Sequence, residues 1–145
     1  MRLLTAKIRY TLPILGLLAS ISVHALEASS QIKTQLLLKT GQSWDGQPLS
    51  YPAGPAEITG ILVEIAPHAQ TGWHQHPIPS FGYMLEGELT IRLQNGQNKT
   101  LKAGDAIAEV VNTLHNGSNH GDKPVRLIVF YTGTTGQVLS IKPDQ

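Results

Sequence analysis

His74 and His76 stand one residue apart, and His115 follows 39 residues after His76. Residues i and i+2 of a strand project from the same face, so the first two imidazoles would lie side by side on extended chain. That arrangement suits two neighbouring positions on one metal ion. A helix would turn the same pair about 200° apart. Pro77 and Pro79 hold the local chain away from helix. His115 would come from another strand, brought beside the pair by antiparallel packing. Imidazole ligands suit divalent iron, manganese, nickel or zinc, and also copper. The sequence has no cysteine, which excludes thiolate ligands, cysteine nucleophiles and thiol redox chemistry. An HxH pair alone is a weak sign, because histidine is common on solvated faces.

Other polar residues have a bland reading beside a functional one. Glu109 interrupts the apolar run from Ala106 to Val111. A carboxylate is costly to bury unpaired, so Glu109 is either a catalytic or ligand group near a metal or an outward-facing strand residue. Ser80 would hydrogen-bond a metal-bound water or, as the preferred reading, cap a loop. His68 and His120 sit in turn-like segments and are expected in solvent. Trp73 and Tyr83 would line a pocket or fill the barrel interior. Glu86 and Glu88 flank Gly87 as surface residues, and Asn119 is expected to hold a loop together. No Ser-His-Asp order, phosphate loop or dinucleotide fingerprint occurs.

The elements that must position these residues are short strands. Glu57 to Ala66, Phe81 to Leu85, Glu88 to Gln94, Lys99 to Lys102, Ala106 to Val111 and Val125 to Tyr131 read as strands. Lys33 to Thr40 and Gln137 to Ile141 are expected as two more. Leu89, Ile91 and Leu93 alternate with Thr90, Arg92 and Gln94, the period of a half-buried strand. Asn95-Gly96 is a hairpin signal. Residues 41–55 and 67–72 are rich in turn formers. No stretch after Ala25 has a convincing helical period, so the chain is expected to be all-β, a sandwich or barrel.

The N-terminus reads differently. Arg2, Lys7 and Arg9 precede an uncharged apolar stretch from Tyr10 to Val23, and Val23-His24-Ala25 ends it with a small-residue site. This order predicts a secretory signal peptide over residues 1–25, cleaved at Ala25 or at Ala28. The competing reading is a membrane anchor, but the run of about 14 residues is short of the roughly 20 a spanning helix needs. Export would place residues 26–145 in the periplasm or outside the cell as one domain, with no membrane contact after cleavage. Removing residues 1–25 takes away three cations and no acid, so the formal charge goes from +1 to −2. That charge does not favour nucleic acid as a partner.

Gly72 to Pro77, followed by Tyr83 to Ile91, resembles the first conserved motif of the cupin superfamily. Ala103 to Glu109, followed by His115 and Asn119, resembles the second. The resemblance covers roughly Glu57 to Tyr131. It implies a single double-stranded β-helix, or jelly-roll barrel, with His74, His76 and His115 as metal ligands. Two departures stand out: Ser80 occupies the place of the family's first-motif Glu, and Val110 and Asn112 replace a Pro and a Gly. The loss of the Glu leaves a facial set of three histidines, as some cupin-like thiol and diketone dioxygenases use. The resemblance further implies a small-molecule substrate and a homodimer formed through edge strands. The alternative reading is a non-catalytic barrel that binds or senses a small molecule, with or without metal.

Overall fold

The computed structural model describes residues 31–143. The expected signal peptide lies outside the described residues. The chain divides into two units, Met1–Gln35 and Leu36–Gln145. The described part of the first, residues 31–35, contains no strand.

The second unit holds seven strands and, among the described residues, no helix. They are β1 (Ala56–Ile65), β2 (Ser80–Glu86), β3 (Glu88–Leu93), β4 (Asn98–Lys102), β5 (Ala106–Ala108), β6 (His115–Ser118) and β7 (Val125–Thr134). They form two antiparallel sheets, in the orders β1-β7-β2-β5 and β4-β3-β6. The all-β jelly roll expected from the sequence is the observed architecture.

Alternation decides which residues meet between the sheets. Leu89, Ile91 and Leu93 of β3 are buried, while Thr90 and Arg92 between them are not. Val125, Leu127, Val129 and Tyr131 of β7 are buried in the same alternating fashion. These faces form the core with Ile65, Ile78, Met84, Leu101 and Ile107. Each large apolar side chain so buried contributes about 1.5–3 kcal/mol.

Backbone requirements explain two turns. Gly87 joins β2 to β3 at φ +80, and a Cβ there would stand 2.8 Å from the Pro124 carbonyl oxygen. Gly96 closes the β3–β4 hairpin at φ +90, where Asn95 Oδ1 accepts the Gln97 N–H at 3.0 Å.

Three expected strands differ. Residues 32–40 form no strand; Leu36, Leu37 and Leu38 are three exposed apolar residues in a row, without the polar alternation of a half-buried strand. The expected strand over 137–141 reduces to one bridge, Gln75 to Ile141. The strand expected over 106–111 stops at Ala108. Asn112 then turns the chain at φ 52, a left-handed conformation that asparagine tolerates better than most residues.

Candidate metal centre

The chain before β2 is pinned against β6 and the C-terminal segment. His74 and His115 exchange main-chain hydrogen bonds, His74 N to His115 O at 3.0 Å and His115 N to His74 O at 2.9 Å. Gln75 makes the same two-way exchange with Ile141, at 2.9 Å in both directions. This keeps residues 74–76 extended, and His74 and His76 project to one side as their spacing requires.

The three imidazoles converge. Ring centroids are 4.9 Å apart for His74 and His76, 4.3 Å for His74 and His115, and 4.9 Å for His76 and His115. One nitrogen from each ring lies within 4.8 Å of the other two. Small ring rotations bring such atoms to the roughly 3–3.5 Å separation that a shared ion imposes on nitrogens bound at about 2.1 Å.

The other ring nitrogen is accounted for in every case. Nδ1 lies 2.8 Å from the Gly72 carbonyl oxygen in His74, 2.9 Å from that of Leu139 in His76, and 2.8 Å from that of Thr113 in His115. A carbonyl only accepts, so each Nδ1 carries the proton and donates it. Each Nε2 is left with a free lone pair, the form a metal binds. Burial lowers the pKa of His76 and of His115 to about 4, because a cation is poorly solvated there. Both are therefore neutral at pH 7. Imidazole nitrogen donors fit a divalent transition ion.

These rings open into a cavity of about 80 Å³, shared with Glu109, Tyr131, Thr71 and apolar walls that include Val63, Ile65, Leu89, Ile91, Leu127 and Val129. The edge of the Tyr131 ring meets His76, with centroids 5.2 Å apart. Glu109 is an inward residue: it is buried and lines the cavity, and its N–H donates to the Ser80 carbonyl at 2.9 Å. Burial raises its pKa to about 7; the Trp44 indole and the Val110 main-chain N–H draw it part of the way back. The Trp44 indole N–H acts on the carboxyl as a hydrogen-bond donor, although Trp44 Nε1 closes no full hydrogen bond among the described residues. Glu109 Oε2 and Ser80 Oγ are likewise buried without a hydrogen-bond partner.

Ser80 corrects the loop expectation. It begins β2 and is fully buried. Asn112 keeps the turn usually made by Gly, and its N–H donates to the His76 carbonyl at 2.8 Å. Asn119 holds its loop: Nδ2 lies within 3.1 Å of the carbonyl oxygens of Ile65, Ala66 and Lys123. His68 and His120 are exposed, and His68 pairs with Asp122 at 3.1 Å. Glu86 and Glu88 are surface partners of Arg126 and Lys102. Trp73 lies under the Arg92 guanidinium at 5.5 Å, and neither it nor Tyr83 lines the cavity. Trp44 and Leu139 were missed in the sequence: one sits in a turn-rich stretch, and the other acts through its main chain.

The model of the cupin domain family matches residues 61–131. Residues 61–131 thus form a cupin domain. Solved structures agree on the fold. A cupin-like protein from Thermotoga maritima is 19% identical with a TM-score of 0.54, over 61% of this chain and 65% of that one. The DMSP lyase DddQ from Ruegeria pomeroyi is 19% identical with a TM-score of 0.52, over 59% of this chain and 42% of that one. Oxalate decarboxylase from Lactobacillus farciminis, solved as a formate complex, is 22% identical with a TM-score of 0.53, over 59% and 26%. The chain thus spans less than half the length of either enzyme. No curated protein sequence matches it.

Proposed function

We propose that this cupin is a metal-dependent enzyme acting on a small organic substrate, with His74, His76 and His115 as the ligands of one divalent ion. The observation that carries the reading is the threefold Nδ1-to-carbonyl pattern, which leaves three Nε2 lone pairs free in one cavity. A histidine cluster built for packing has no need of the same tautomer in all three members. The ion, drawn from iron, manganese, nickel or zinc, would supply Lewis acidity or dioxygen activation. The protein's own residues fix the ring orientations, keep His76 and His115 unprotonated, and wall the site with hydrocarbon. Glu109 is the acid-base candidate, since it is the carboxyl that shares the cavity. A cavity of about 80 Å³ is far below the roughly 300–1,000 Å³ of typical ligand sites, which favours a substrate of few heavy atoms.

Two further parts of the proposal concern setting. The N-terminal charge and hydropathy pattern supports export to the periplasm or beyond. A homodimer accords with the outer face of β1 and β7. Gly60 pairs with Phe130, so Ile58, Leu62 and Phe130 share that face, and all three are exposed.

The test is metal analysis of untagged protein, followed by assays with thiols, diketones and organic acids of few heavy atoms. About one equivalent of metal, and turnover abolished by His76→Ala, are expected. Less than about half an equivalent after reconstitution overturns the metal reading. Tight ligand binding without turnover overturns the enzyme reading and leaves a binding module.

A further inference from the structure

The cavity beside the three histidines contains a carboxyl that Trp44 and Val110 answer only in part. Glu109 is buried, lines the same space as His74, His76 and His115, and leaves Oε2 without a closed hydrogen bond. Its carboxyl lies outside the group of ligand atoms that come within 4.8 Å of one another, so it stands beside the metal position rather than in it. An acceptor oxygen buried without a donor is expensive. It is tolerated where a ligand supplies the missing hydrogen.

Three chemical requirements meet in this cavity. Three neutral imidazoles leave a divalent ion its full positive charge, which favours an anionic oxygen on the ligand. Glu109 Oε2, buried without a closed hydrogen bond, can accept one from a ligand in the same cavity. Val63, Leu89, Ile91, Leu127 and Val129 offer only hydrocarbon to the remainder.

We propose that Glu109 is a specificity residue selecting a small carboxylic acid with a hydroxyl on the neighbouring carbon: the carboxylate goes to the metal side, the hydroxyl donates to Glu109 Oε2, and a short hydrocarbon end meets the apolar wall. This deepens the proposed function and rests on the three-histidine metal site. Position 80 presents a hydroxymethyl group, and its cross-strand neighbour Glu109, joined to it by the 2.9 Å main-chain bond, carries the carboxyl.

The experiment uses cobalt(II)-loaded full-length protein and two probes, lactate and propionate, which differ by one hydroxyl. Cobalt binding is measured first, for the wild type and for His76→Ala. Dissociation constants for both acids then follow from the change in the cobalt visible spectrum. A hydrogen bond to a charged group predicts that lactate binds roughly ten- to a hundredfold more tightly. Glu109→Leu should bring the two acids to within about threefold and leave cobalt stoichiometry unchanged, so no turnover is needed for the reading.

The failures separate. No cobalt bound by the wild type, or full binding by His76→Ala, overturns the metal site and this proposal with it. Cobalt bound normally but lactate and propionate equal overturns the specificity role alone. A lactate preference that persists in Glu109→Leu means chelation by the ion and also overturns it. If Glu109→Leu does not fold, a crystal structure of the wild-type cobalt–lactate complex decides. The hydroxyl should lie about 2.5–3.0 Å from Glu109 Oε2, and a hydroxyl turned away from it overturns the proposal.

Discussion

His74 and His115, 41 residues apart in sequence, are locked to each other by two main-chain hydrogen bonds, at 3.0 and 2.9 Å. Their relative position is thus set by backbone pairing before any ion binds. His76 gains its place from the next bridge along, between Gln75 and Ile141. The geometry of the three histidines belongs to the fold.

Metal should therefore stabilise a site that already exists. At a free concentration a hundred times Kd, an ion that binds only the native state adds about 2.7 kcal/mol. For a domain of this size that raises Tm by on the order of 10 °C. Differential scanning calorimetry with and without chelator measures the shift, and His115→Ala should abolish it.

Acid should destabilise the metal-free protein. His76 and His115 have folded pKa values lowered to about 4. Their contribution is complete above pH 6.5 and is lost as pH falls through about 4. Glu109 acts in the opposite sense, its pKa raised to about 7; its contribution is complete below pH 4.5 and is lost as pH rises through about 7. Between pH 4.5 and 6.5, unfolding takes up two protons and releases one. Stability should fall by about 1.4 kcal/mol per unit of acidification. In Glu109→Gln the opposing group is gone, and the slope should approach about 2.7 kcal/mol per unit. Urea titrations across this range measure both slopes.

The C-terminal segment should matter for metal although it contributes no ligand. The Leu139 carbonyl accepts from His76 Nδ1 at 2.9 Å. Deleting residues 137–145 removes that acceptor and the Gln75 bridge. Loss of such an outer partner costs about ten- to a hundredfold in metal affinity. Competition with a chromophoric chelator gives the number, and unchanged affinity would show that Leu139 is dispensable.

Asn112 should tolerate glycine but not a β-branched residue. At φ 52, Asn112→Gly is expected to be close to neutral. Asn112→Val should cost about 1–2 kcal/mol, read as a lower midpoint in chemical denaturation.

The sequence made the three-histidine cluster legible because its signal is local: an i, i+2 pair flanked by prolines, with a third histidine at a recognisable spacing. It made β3 legible because Leu89, Ile91 and Leu93 alternate cleanly. Glu109 stayed ambiguous because β5 ends at Ala108, so periodicity alone does not extend to it; its pairing with Ser80 decides its direction. Leu36 to Leu38 looked like strand from composition, yet composition does not say whether a neighbouring strand exists. The Leu139 carbonyl was invisible because a main-chain acceptor leaves no mark on the identity of its residue.

The three imidazoles lean on peptide oxygens from Gly72, Thr113 and Leu139 instead of on acidic side chains. A peptide oxygen keeps the same proton count from strong acid to strong base. Ring tautomer and aim are thereby uncoupled from the acidity of the surroundings, and the electron-donating strength of the three ligands should stay constant across conditions in which a carboxylate-backed centre would drift.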